Sequence, residues 1–311
     1  MASLLSTDVH RWTHEVARQA TLIRLLTLEQ SLRAGGGYLA QACSSAEILA
    51  TLYGHLMNLG PSTGPSMPER FRGTPGAGAY THCGGRYNGD PAPERDRFVL
   101  SPSHYAIALY AALVAAGRLD EAALAEFNSD GGSVEMIGAE HSPGFELTSG
   151  SFGQALSQAA GIALARKRRG DTGRTWVFLS DGEMQEGQTW EAVQFIAFYR
   201  LTSLRVVVDV NGQQVDGRTA DVMNVEPLDA RFAGFGVPVM RVDGHSPAAL
   251  ARAFETAGDD PLIVLADTDP TRGVPLLKGR WPKLHYVRFA DGDRVAYEGE
   301  ALQMRTALGL A

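Results

Sequence analysis

The sequence predicts an α/β protein with a doubly wound parallel sheet, and three features predict it. Segments Thr175–Ser180, Leu204–Val210 and 262–266 are near-continuous apolar runs, the pattern of strands buried on both faces. They alternate with stretches long enough for helices, as crossovers between parallel strands require. Two of the strands run into Asp181-Gly182 and Asn211-Gly212, turn-forming pairs at what would be the carboxyl edge of the sheet.

Taken in order, residues 8–33 read as a helix, with Val9, Trp12, Val16, Ala20 and Ile23 near helical spacing, stopped by Gly35-Gly36-Gly37. A second helix is expected over 44–59, with Ser44 or Ser45 as N-cap and Ile48, Leu49, Leu52 and Leu56 on its apolar side. Residues 60–95 are rich in Pro and Gly and read as one long loop, a length that usually carries function. Phe98-Val99-Leu100 reads as a short strand, followed by a small-residue helix from about 104 to 116. Gly, Ser and Pro then dominate to residue 153. Helix 153–169, strand Thr175–Ser180, helix 187–200 and strand Leu204–Val210 follow. Strand 238–242, helix 246–257 and strand 262–266 complete the alternation, with no internal repeat. The whole of 1–311 is expected to be one domain, with a helical N-terminal segment and the loop at about 60–95.

The 311 residues are 44% hydrophobic and 20% charged, a globular composition. A net charge of −7 leaves no basic surplus to neutralise a phosphate backbone, which opposes non-specific nucleic-acid binding. Cys43 and Cys83 make neither a disulfide framework nor a CxxC pair, and with no basic neighbour evident both are expected to be inert. The start MASLLSTDVHRW has no basic n-region and is interrupted by Asp8 and His10. No stretch approaches the roughly 18 apolar residues of a membrane span. A cytoplasmic chain without membrane partner is expected.

The chemistry concentrates at the two strand ends. A carboxylate from Asp181 and an amide oxygen from Asn211, with a nearby backbone carbonyl, suit a hard divalent cation such as Mg²⁺ whose open positions go to phosphate oxygens. Gly182 lets backbone approach a phosphate, and the helix starting near 187 would direct its N-terminus to the same place. Each pair alone is most simply a turn. Both at consecutive strand ends, with a helix between, point to a site.

The run SDGEMQEGQTWEA followed by VVVDVNGQQVDG resembles the thiamine diphosphate motif of the transketolase family, which has GDG, a following EG, and a terminal DNxxxxDG. Three further segments agree in order: RAGGGYLAQACSSAEILATLY at 33–53, DRFVLSPSH at 96–104 and PGFELTSGSFGQALSQAAGIALA at 143–165. The resemblance covers nearly the whole chain and matches the diphosphate-binding half, as in split two-subunit members. It implies the diphosphate-type thiamine-diphosphate-binding fold, with thiamine diphosphate and Mg²⁺ as cofactors. Asp181 and Asn211 would be metal ligands through their side chains and Gln213 through its backbone carbonyl. His104, Gly150, Ser151, Phe152, Gly182, Glu183, Asn211 and His285 would contact the cofactor. His104 and His285 would face the donor substrate. Glu186, which with Glu191 matches acidic positions at the family's subunit interface, would join a proton-sharing network between paired cofactors. His245, in VDGHS, reads as structural.

The departures fall on the substrate side. Tyr38 stands where the family's GxGH motif has a substrate-contacting histidine, and the GHP motif is reduced to Ile137-Gly138-Ala139-Glu140-His141, where His141 is the candidate replacement. Segment 81–89, THCGGRYNG, has no family counterpart. The resemblance implies a transferase subunit moving a two-carbon ketol unit from a ketose donor to an aldehyde acceptor. It also implies a C-terminal, pyrimidine-binding partner subunit in an α₂β₂ assembly, because the family's glutamate on the cofactor's pyrimidine lies in a second domain that is not expected here. The alternatives are a 2-oxo acid donor such as pyruvate, as in synthases and dehydrogenase E1 subunits, which Tyr38 favours, and a non-catalytic subunit, which intact Asp181, Gly182 and Asn211 oppose.

Overall fold

A computed structural model describes residues 2–71, 84–256, 258 and 260–310. In chain order the elements are α1 (Ala2–Arg33), β1 (Gly36–Gly37), α2 (Leu39–Thr51), β2 (Arg97–Leu100), α3 (Ala106–Ala115), α4 (Gln154–Arg169), β3 (Thr175–Ser180), α5 (Gly187–Phe198), β4 (Leu204–Val210), β5 (Gln213–Gln214), β6 (Gly217–Arg218), α6 (Thr219–Val222), α7 (Leu228–Gly234), β7 (Val239–Asp243), α8 (Pro247–Glu255), β8 (Leu262–Asp267), β9 (Val287–Arg288) and α9 (Asp291–Leu308). β2, β3, β4, β8 and β7 form one sheet in that order, and every neighbouring pair is parallel.

Alternation along the strands builds two cores. Phe98, Leu100, Trp176, Phe178, Val207, Val264 and Ala266 face α1, α2, α3 and α8. Val99, Val177, Leu179, Val206, Val208, Ile263 and Leu265 face α4, α5 and α7. The chain reverses direction when it returns from edge strand β7 to place β8 beside β4. A right-handed crossover then carries α8 to the face opposite α5 and α7. A third cluster joins α1 and α2 to α9 and the segment before it, through Leu25, Leu39, Cys43, Leu277, Leu284 and Tyr297.

Several expectations shift. The second helix covers 39–51 rather than 44–59 and ends in a π-helical turn over Leu52–Leu56. Ser44 and Ser45 are therefore interior, not caps. Every residue of α2 is buried, so these hydroxyls bond to Asp209 Oδ2 and Gln41 O instead of ending the helix. Helices α7 and α9 carried no periodicity strong enough to be expected. Gly36 does more than end a helix: β1 pairs antiparallel with β9, and a Cβ on Gly36 would lie 2.8 Å from the Tyr286 ring and from Val287 O. This close approach seats the His285 segment against the start of α2. Within the expected loop 60–95, residues 60–71 hold no helix or strand and 84–88 form a 3₁₀ turn. Cys83 and most of the first half of THCGGRYNG lie outside the described residues. Cys43 is buried in the third cluster, and burial pushes its thiol up to about 12. No described helix is long and apolar enough to cross a membrane.

Candidate functional site

The register of the sheet decides what meets at its carboxyl edge. Ser180 of β3 lies opposite Asp209 of β4, so the residues that follow each strand emerge side by side. Asp181 Oδ2 accepts the backbone N–H of Gly212 at 3.1 Å and the Thr219 hydroxyl at 3.2 Å, while Oδ1 accepts Gly182 N–H at 2.8 Å. Asn211 Oδ1 accepts Gln213 N–H at 2.9 Å. The two strand-end motifs thus lock into one another.

Over them lies a cavity of about 160 Å³, lined among others by Gln41, His104, Phe152, Asp181, Gly182, Glu186, Asn211, Gln213 and His285. His104 sits in the 3₁₀ turn after β2, and His285 in the segment before β9. Their ring centroids are 5.3 Å apart, with Tyr38 at 5.9 and 5.4 Å and Phe152 at 5.7 Å from His104. Burial, reinforced by His285, holds His104 down at about 3, and burial also lowers His285. Both rings are uncharged near neutrality, so each offers one N–H donor and one acceptor nitrogen.

The other anticipated residues distribute unevenly. Glu186 precedes α5 at its N-cap position without a side-chain capping bond, exposed at the cavity edge, and Glu191 is exposed one turn further on. Of Gly150, Ser151 and Phe152, Phe152 lines the cavity. Gly150 holds the loop behind it at φ +112°, where an added Cβ would meet Ser103 Cβ at 2.9 Å. Glu183 does not line the cavity. Its Oε1 is buried between Ser101 Oγ and the Gly153 N–H (2.9 Å), where it ties the His104 loop to the start of α4. His141 is likewise not a lining residue. Its Nε2 pairs with Glu135 Oε2 at 2.9 Å and its ring stacks on Phe71. His245 is pinned between Glu47, at 2.9 Å from Nδ1, and the Asp269 N–H on Nε2.

Tyr105, Asp209 and Gln41 went unremarked in the sequence. The signal for Asp209 was present, a lone acid inside the run Val206-Val207-Val208-Asp209-Val210. No pattern marked Tyr105 or Gln41.

The residues fit a cation with a phosphate-bearing ligand. Asp181 is 2% exposed, and among the described residues no cationic side chain pairs with it. Burial and the nearby Asp209 charge push its carboxyl up to about 7, a cost that a bound cation would offset. Gln41 Oε1 and Gln214 Oε1, on two lining residues, are buried without a hydrogen-bond partner. The nearest protein atom to a Cβ built on Gly182 is 3.8 Å away, so a side chain there would occupy cavity space.

A family profile described as transketolase, thiamine diphosphate binding domain, matches residues 87–283, which include both strand-end motifs. The chain belongs to the transketolase family. A putative uncharacterized transketolase family protein of Sinorhizobium fredii is 38% identical over 276 residues, covering 87% of this chain and 89% of that protein. The 6-deoxy-6-sulfo-D-fructose transketolase subunit of a Clostridium species is 33% identical over 270 residues, covering 86% of this chain and 89% of that one. Among solved structures, Campylobacter jejuni transketolase superposes with a TM-score of 0.71 at 21% identity, covering 96% of this chain and 46% of the other. This transketolase-family chain therefore spans about half the length of the solved transketolase that it matches, and it carries the thiamine diphosphate binding domain of the family.

Proposed function

We propose that the protein is a thiamine diphosphate- and Mg²⁺-dependent transketolase-type subunit that transfers a two-carbon ketol unit from a ketose donor to an aldehyde acceptor. One observation carries the reading: Asp181 and Asn211, on neighbouring strand ends, share a cavity with two uncharged histidines. The Asp181 carboxylate, the Asn211 amide oxygen and the Gln213 carbonyl would hold the Mg²⁺, and Gly182 and the 150–152 loop would hold the diphosphate. When bound, thiamine diphosphate supplies a thiazolium that serves as the electron sink for carbon–carbon cleavage.

The chain's own residues position the donor and manage its protons. His104 and His285 each present an N–H to a donor oxygen that gains negative charge and an acceptor nitrogen to a hydroxyl that loses its proton. Their depressed basicity keeps them free of protons that would abolish the acceptor role. Tyr38 packs edge-on against His285 and sets its ring orientation. Glu186, at the open edge, faces the side where a second subunit would dock.

The relatives that match over most of their length bear transketolase names, and two are named subunits. This supports a ketose donor and a separate partner chain carrying the pyrimidine-binding glutamate. It does not favour the 2-oxo acid alternative. The test is reconstitution with the partner, thiamine diphosphate and Mg²⁺, offered xylulose 5-phosphate plus an aldehyde or, separately, pyruvate. Ketol transfer from the ketose is expected. Turnover of pyruvate alone would replace the donor assignment, and full activity without a partner would remove the two-subunit claim.

A further inference from the structure

Asp209 is wholly buried in β4, beside the proposed metal ligands but not lining the cavity. Among the described residues it makes no ion pair. Its carboxylate is held by four neutral donors: Ser44 Oγ of α2 at 2.5 Å, Tyr105 Oη at 2.7 Å, Asn211 Nδ2 at 3.2 Å and Thr268 Oγ1. Burying a carboxylate without a cation is costly, and no catalytic contact accounts for it.

The contacts of this network orient the Asn211 amide. Tyr105 Oη donates to Asp209 Oδ2. The single hydroxyl hydrogen of Tyr105 is therefore committed to Asp209, and what remains on Tyr105 Oη is lone pairs. The contact between Tyr105 Oη and the Asn211 side chain, 2.9 Å, must then come from an amide N–H. Asn211 Nδ2 thus faces two oxygens that are themselves hydrogen-bonded to each other, Tyr105 Oη and Asp209 Oδ2. The amide cannot turn over, and Oδ1 is held on the opposite side, where it accepts Gln213 N–H and keeps a second lone pair.

We propose that Asp209 is a positioning residue: acting directly and through Tyr105, it fixes the Asn211 amide so that its oxygen, not its nitrogen, is presented to the divalent cation. The inference rests on the functional reading above. It assigns a role to Asp209, which does not line the cavity, and to the hydroxyl of Tyr105 beside it.

Thr268 provides the control. Its hydroxyl also bonds the Asp209 carboxylate, on Oδ1, but among the described residues makes no hydrogen bond to Asn211. Thiamine diphosphate binding to the chain assembled with its partner subunit is followed by calorimetry at increasing Mg²⁺, for wild type and for Tyr105→Phe, Asp209→Asn and Thr268→Val. Tyr105→Phe is expected to raise the Mg²⁺ needed for half-maximal binding by about 10-fold, and Asp209→Asn toward about 100-fold, the span typical of supports behind metal ligands. Thr268→Val should stay within about twofold while losing comparable thermal stability, as expected for one buried hydrogen bond in each case. An unmoved Mg²⁺ midpoint in folded Tyr105→Phe, or an equal shift in Thr268→Val, overturns the positioning role. Should Asp209→Asn fail to fold, the Tyr105 and Thr268 pair still decides. Wild-type protein showing no Mg²⁺-dependent binding would sink the functional reading, and this inference with it. A normal wild-type response with Tyr105→Phe unchanged sinks this inference alone.

Discussion

Two buried acids in this molecule have opposite fates. Glu47, in α2, is bound by Arg24 through Nη1 at 2.8 Å and through Nη2, and by His245 Nδ1 at 2.9 Å. Burial alone would raise its pKa, but the His245 hydrogen bond and Arg24 together outweigh it and bring the group down to about 2. Asp181, at the end of β3, is also buried but meets neutral N–H and O–H donors, and it rises to about 7. Folding completes the first site with its own cation. The second is left with an excess of negative potential that Asp209 deepens. The difference lies in the partners: a cation and a histidine for Glu47, neutral donors beside an open cavity for Asp181.

The largest effect expected from this contrast is on ligand affinity. Asp181→Ala should weaken Mg²⁺-dependent thiamine diphosphate binding by more than about 100-fold in calorimetry, with little change in melting temperature, since the cavity lets water reach the exposed donors. Retained Mg²⁺-dependent affinity would break the comparison on its functional side. Next, Glu47→Ala should destabilise the fold by about 3–5 kcal/mol, measured by denaturant unfolding, because Arg24 is left buried and unpaired. Binding measured under conditions where that variant stays folded should hold near the wild-type level. A loss of affinity as large as that of Asp181→Ala would erase the distinction.

The acid limb of stability sharpens it further. Glu47 titrates at 4.5 unfolded and about 2 folded, so its contribution is complete above 4.5 and is lost as pH falls through about 2. His104 acts in the same direction over a higher window. The unfolded chain takes its proton near 6.5, the folded site not until about 3, so stability drops as pH falls across that span. His104→Gln should flatten the limb between pH 6.5 and 4.5, and Glu47→Gln the part below, in melts recorded against pH. The smallest effect belongs to the cavity rim. Val215 is β-branched yet held at φ +51°, and it is exposed. Val215→Gly should raise stability by about 1 kcal/mol, since the strain relieved slightly exceeds the added entropy of glycine. A loss would show that contacts of the valine outweigh its strain.

The strands were readable because their signal is local. Thr175–Ser180 and Leu204–Val210 are bounded as expected to the residue, since a strand buried on both faces must be apolar throughout. Helix α9, with a mixed surface and no strong stripe, was not readable, and neither was the true start of α2. There the buried serines suggested a cap, although their partners, Asp209 and a backbone carbonyl one turn back, keep them inside the helix. Of the candidate site, Asp181, Asn211, His104 and His285 could be anticipated from motifs. Glu183 and His141 could not be placed from sequence, because whether a side chain turns into a cavity or away from it depends on neighbours far along the chain, here Ser101 and Gly153 for one and Glu135 and Phe71 for the other.

By itself, then, the amino-acid sequence determined the strand run, the alternation that makes the sheet parallel, and the pair of turn motifs that carry Asp181 and Asn211, since periodicity and turn chemistry act over a few residues. The tertiary structure decided the register that sets Asp181 against Gly212, the direction of the Asn211 amide, and which buried acid finds a cation. Those depend on hydrogen-bond partners and charges brought close by folding, from positions such as Ser44, Tyr105 and Thr268 that no local pattern connects.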